Sequence, residues 1–182
     1  MKPLTQIATK ILAAFRKRDQ RSLRKLNDEV LKLAGIDRDK VCFDLAIYSY
    51  VLSKVVSKPR YLDKEYEQSL KGIAQVFQMI VDKMESPDQD ELIALFSDLE
   101  NALAHLEEKD PRFIVDLVTK GRLKMAATLY AQGIGLGVAA EMTGLDKQEI
   151  LDYAGETMMF DRLKEEMTIE ERLKNARKFL SG

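Results

Sequence analysis

Catalysis and metal binding draw on a short list of side chains, and this chain is poor in two of them. His105 is its one histidine and Cys42 its one cysteine. A single Cys closes no internal disulfide, and one Cys with one His cannot complete an ordinary zinc site. His105 lies in an apolar and acidic stretch, where a surface imidazole is the plainest interpretation. Cys42, between Val41 and Phe43, reads as a small buried apolar residue. Carboxylates are plentiful, as in Asp63-x-Glu65-x-Glu67, Glu107-Glu108 and Glu165-Glu166. None of these sets has a histidine neighbour in the Glu-x-x-His spacing of di-iron helical proteins, so they read as solvated faces. The chain is expected to be non-enzymatic and to need no cofactor.

The cations carry more information. Arg16 to Lys25 hold six bases within ten residues. Lys17, Arg21, Arg24 and Lys25 would gather on one face if a single helix ran through them, and such a patch binds phosphate. The alternative is a solvated face that pairs with acids of the same chain. Residues 1–60 hold 14 Lys/Arg against 6 Asp/Glu, whereas residues 61–109 hold 4 against 12, so the acids for such pairing exist. Lys120, Arg122 and Lys124 form a second basic set, able to touch phosphate or merely to coat a helix. Gly133, Gly135 and Gly137 do not make a phosphate loop, because no strand precedes them and no Gly-Lys-Ser/Thr follows. They are turn glycines.

The elements that must position these residues are helices. Apolar residues recur at helical spacing nearly everywhere, and Gly and Pro are few. Leu4 to Phe15 mark a first helix and Leu23 to Leu33 a second, ending near Gly35. Asp37 or Asp39 can cap a third, apolar on several faces and therefore central. Pro59 precedes a long helix expected to run from Leu62 through Tyr66 and Leu70 to Met84. Ser86-Pro87-Asp88 and Asp110-Pro111 each read as a break followed by a new helix. Thr168-Ile-Glu-Glu171 is a capping-box pattern opening a last helix to about Leu180. The expected fold is all-α: an antiparallel helical bundle over 1–109, then a unit over 110–182 with a long helix, a helix-turn-helix-like corner and a final helix. The first residues lack the apolar run of a signal peptide, and no segment approaches a membrane span. A cytoplasmic protein without membrane contact is expected.

Leu136-Gly-Val-Ala-Ala-Glu-Met-Thr-Gly-Leu-Asp-Lys-Gln-Glu-Ile-Leu-Asp-Tyr153 has the spacing of such a corner. Two helices meeting steeply need a small residue where one crosses the other, and Ala140 stands there. The turn needs a residue tolerant of positive φ, which Gly144 is. Leu145, Ile150 and Tyr153 would seal the corner, with Ala139 turned toward the preceding helix. The segment resembles the helix-turn-helix of small prokaryotic antitoxin-like proteins, with their Leu-Gly-x-Ala-Ala-Glu-x-x-Gly stretch. From Lys120 onward the chain resembles uncharacterised archaeal all-helical proteins ending in this module. The resemblance implies a regulatory or toxin-partner role. One departure counts against base reading: the second helix offers Asp146, Lys147, Gln148, Glu149 and Asp152, three acids against one base, and acids are repelled by phosphates. The expected function is thus a nucleic-acid-associated regulator. Its contacts would come from Lys17, Arg21, Arg24, Lys25, Lys120, Lys124, Lys147 and Gln148. The alternative is a helical adaptor whose C-terminal unit binds a protein. Met158-Met159-Phe160, an apolar step between helices, would then cover the corner or meet that partner.

Overall fold

In the computed structural model, residues 3–37, 39–85, 89–108 and 117–162 are described. The breaks expected at Ser86–Asp88 and Asp110–Pro111 and the last helix, with its Thr168–Glu171 cap, lie outside them. The described residues are all-helical, with no strand among them. The helices are α1 (Pro3–Arg16), α2 (Gln20–Asp37), α3 (Lys40–Val56), α4 (Glu67–Lys83) and α5 (Gln89–Glu108). They continue as α6 (Leu117–Ala131), α7 (Leu136–Thr143), α8 (Lys147–Glu156) and a single turn, α9 (Met159–Arg162).

Local signals set the helix starts. Asp19 accepts from the Ser22 N–H at 3.0 Å and from its hydroxyl at 2.6 Å, which caps α2. Asp39, rather than Asp37, caps α3, and α2 runs two residues beyond Gly35. Before α4 the expectation of a continuous helix from Leu62 is wrong. Two 3-10 turns, Pro59–Leu62 and Lys64–Tyr66, fill that stretch and α4 starts at Glu67. Tighter turns bring Tyr61 and Tyr66 together edge to face, 5.4 Å apart, with both rings buried.

α3 is the central element. Phe43, Leu45, Ala46, Val51, Leu52 and Val55 on it are fully buried, so it packs on several sides, against α1, α2, α5 and α6. Its two buried serines, Ser49 and Ser53, donate from their hydroxyls to carbonyls of their own helix at 3.0 and 2.7 Å. Asn27 of α2 is buried against it and donates to the Ala46 carbonyl at 2.6 Å and to the Ser49 hydroxyl at 2.9 Å. α6 belongs to two cores. Leu117, Val118, Met125 and Leu129 join the main one, while Ala126 and Ala127 join a smaller one with Ala139, Ile150, Ala154 and Met159.

That second core is the corner of α7 and α8. Gly144 has φ 69 and ψ 17, and its N–H closes α7 on the Ala140 carbonyl. Asp146 and Glu149 cap α8 reciprocally. Ile150 is fully buried, and Leu145 and Tyr153 pack around it. The small residue at the centre is Ala139, fully buried, with Ala140 half-buried beside it. No atom lies within 4 Å of a Cβ placed on Gly144, so a side chain there meets only backbone strain. Gly144→Val is therefore expected to destabilise the protein by about 1–3 kcal/mol. Gly144→Asn should cost clearly less, because Asn tolerates the left-handed region. Thermal melts of both variants decide it, and equal melting points would refute a left-handed turn.

Candidate nucleic-acid interface

The basic run does not lie on one helix. α1 ends at Arg16, and the Arg18 and Asp19 N–H groups close it on the Phe15 and Ala14 carbonyls, each at 2.9 Å. This is the Schellman pattern that usually requires glycine, yet Arg18 occupies it with φ 56. The chain turns there, and the four cations expected together are divided. Lys17 and Lys25 line a groove of about 440 Å³ between α1 and α2, with Lys10 above them and Glu29 as a carboxylate in the wall. Asp19 also lines it, but its hydrogen bonds from Ser22 occupy the carboxylate and hold its pKa below the ordinary value. Arg21 is exposed on the outer face of α2.

Arg24 serves a different place. Its charge acts on the hydroxyl of Tyr50 in α3. Around the Tyr50 ring stand the ammonium of Lys54, 5.3 Å from the centroid, and that of Lys124 from α6, 4.4 Å away. Burial first, then the Tyr153 hydroxyl of α8, push the Tyr50 pKa up to about 12, against the opposing charge of Arg24. Lysines of α3 and α6 thus meet on one aromatic ring. Lys124 lies over that ring while Arg24 acts on its hydroxyl through charge alone, and exposed Lys120 lies one turn away from Lys124 on the same face. Lys10, Tyr50 and Lys54 were not singled out in the sequence. Lys10 lies two turns before Lys17, a legible spacing; Tyr50 carries no local signal.

The corner presents little to phosphate. Lys147 and Gln148 are exposed in the first turn of α8, but the Gln148 amide donates to Asp152 at 2.8 Å. Glu149, Asp152 and Glu156 are also exposed. Met159 is buried in the corner's core, whereas Met158 and Phe160 are 64% and 54% exposed, and Phe160 meets Tyr130 edge to face.

A further polar set binds α3, α5 and α6. Glu100 accepts from the Tyr48 hydroxyl at 3.0 Å and from Arg122, so Arg122 faces the interior side and not the surface of Lys120 and Lys124. Tyr48 also stacks on Phe96 at 5.4 Å. Asp44 stands nearby, and its pKa is raised, by burial first and against the pull of Lys40 at 3.5 Å. A carboxyl whose pKa is raised in the folded state contributes its full stability below its unfolded pKa, and that contribution is lost as pH rises through the folded value. Asp44→Asn should therefore melt at or above the wild type at pH 7. The difference should shrink as pH falls to about 4, the ordinary range of an aspartate. A variant that melts lower at pH 7 would mean the Lys40 and Arg122 charges outweigh desolvation.

His105 is exposed and lies 3.4 Å from Glu108, and Cys42 is buried. Among the described residues no group of His, Cys, Asp and Glu could hold a metal, and no helix is long and apolar enough to cross a membrane. No protein-family model, no curated protein and no solved structure matches the chain.

Proposed function

We propose that this is a non-enzymatic regulatory protein that associates with nucleic acid through the α1–α2 turn. An antitoxin-like helix-turn-helix at α7–α8 then acts as a packing corner and not as a base reader. One observation carries this. Lys10, Arg16, Lys17, Arg18, Arg21, Arg24 and Lys25 are all exposed, and none forms an ion pair with another described residue. Asp19, the one acid within residues 16–25, is engaged as a helix cap. Unpaired cations on a turn gain most by releasing counterions from phosphates. The capped and acidic α8 favours binding by backbone contact over sequence reading. A cytosolic setting goes with this proposal.

Binding of labelled duplex DNA and of single-stranded RNA, each in two unrelated sequences, tests it across a salt series. Affinity should fall log-linearly with salt, by about 0.9 in slope for each phosphate contact on duplex, and differ little between sequences. A complete absence of salt-sensitive binding would refute it. The second reading, a protein adaptor, would then stand. Its support is the acidic outer face of α8 next to exposed Met158 and Phe160, a surface suited to a basic amphipathic partner.

A further inference from the structure

A second groove lies on the other side of the α1 C-terminus, between α1, the end of α3 and α4. Its floor is apolar: Phe15, Val56, Leu62, Leu70 and Ala74. Its rim is charged, with Arg16, Arg18 and Lys71 against one acid, Glu67. Lys71 holds that acid at 2.8 Å and, by this hydrogen bond first, lowers its pKa, so the carboxylate is neutralised in place. The excess charge at the mouth comes from Arg16 and Arg18.

Arg18 is the residue that sets this site apart. Its φ of 56 is unfavourable for any side chain, and glycine would relieve it. The strained backbone aims the side chain toward the 3-10 turn, where Nη1 donates to the Leu62 carbonyl at 3.3 Å. A guanidinium has five N–H donors in a rigid fork. The others have no acceptor among the described residues. A non-glycine residue kept in a glycine conformation, its cation held by one hydrogen bond at the edge of an apolar groove, is the kind of outlier from which function is inferred.

We infer that this groove binds a small amphipathic monoanion, with its carboxylate on Arg18 and Arg16 and its apolar body on Phe15, Leu62 and Leu70. Size limits the body. The groove has a volume of about 180 Å³, and a cavity of about 150 Å³ holds one benzene ring. One ring or a short branched chain fits; a long acyl chain does not. Planar geometry favours a carboxylate, which the guanidinium fork meets with two parallel bonds. The site shares Arg16 and Arg18 with the proposed nucleic-acid surface, but its test needs no nucleic acid.

The full chain is titrated with benzoate, benzyl alcohol and acetate, followed by amide chemical shifts and by calorimetry. Benzoate should bind saturably, with shifts confined to the α1–α2 turn, residues 60–63 and the first half of α4. Benzyl alcohol, lacking the charge, and acetate, lacking the body, should each bind at least tenfold more weakly. Ala74→Leu fills the floor and should abolish benzoate binding. Arg18→Gly provides the control for folding. It should melt at or above the wild type, since glycine suits the backbone, yet bind benzoate no better than benzyl alcohol. Benzoate binding no tighter than acetate, or binding that survives both Ala74→Leu and Arg18→Gly, would overturn the inference.

Discussion

Gly121→Val is expected to lower the stability of the protein by about 3 kcal/mol, the upper part of the range for overpacking a dense core. Gly121 is buried in α6 where that helix crosses α3. A Cβ there would lie 2.9 Å from Val51 Cγ2 and 3.4 Å from Ile47 Cγ2. Neither neighbour can turn away. Val51 is fully buried and β-branched, with one strongly preferred rotamer in a helix. The crossing is also pinned on both sides, by Arg122 on Glu100 and by Asn27 near Met125, so α6 cannot lift without breaking polar contacts. Gly121→Ala tests the balance more finely. Alanine gains about 1 kcal/mol in helix propensity, which offsets much of its clash, so its net cost should be small. Val51→Ala should restore part of the loss in Gly121→Val while destabilising the wild type, a non-additive pair measured by denaturant melts. Additive effects would mean that the two helices do not meet at this point.

The same residue shows where sequence reasoning stops. A glycine inside a helix gives no local hint of what it faces, because the contact joins residues 51 and 121. Some signals confined to a few residues were legible. Asp39 is one of the two caps expected for α3 and caps it through a bond spanning two residues. The Asp146–Glu149 box is equally local but is not among the expected caps. Gly144 was legible because only a residue without Cβ enters the left-handed region freely. Arg18 enters the same region with no glycine to announce it, and so the division of the basic run was hidden. The 3-10 turns were hidden for another reason. Leu62, Tyr66 and Leu70 keep an i, i+4 period that a continuous α-helix would also keep, and spacing alone does not record a tighter turn. Of the candidate interface, the cations themselves were legible as a run. Their partition between the α1–α2 groove and the Tyr50 ring was not, since it depends on α3 and α6 arriving beside α2. The side of a helix on which a lysine emerges is written in sequence; the neighbour waiting there is not.

Replacing Lys17, Arg21 and Arg24 together by Gln should weaken nucleic-acid binding by at least about 40-fold at about 50 mM salt. It should also flatten the salt dependence. Each phosphate contact contributes about 0.9 to the slope of log affinity against log salt, so three contacts contribute about 2.7. Between about 50 and 200 mM salt, that difference is worth roughly 40-fold. The three residues are exposed, so the variant should melt close to the wild type and the loss should be one of binding. Changing Lys147 and Gln148 should do much less. Lys147 is a single charge beside four acids, Asp146, Glu149, Asp152 and Glu156, and Gln148 already spends its amide on Asp152. The two divided sites can be separated further. Lys10→Gln with Lys25→Gln removes charge from the α1–α2 groove only, and Lys54→Gln with Lys124→Gln removes it from the Tyr50 ring only. If the strand follows the turn, the groove pair should flatten the slope by about 1.8 and the ring pair by less. The reverse ranking would move the path of the phosphates to the α2–α6 side. A base-specific loss in Gln148→Ala would make α8 a reader in spite of its acids, and the α1–α2 turn would then be a secondary contact.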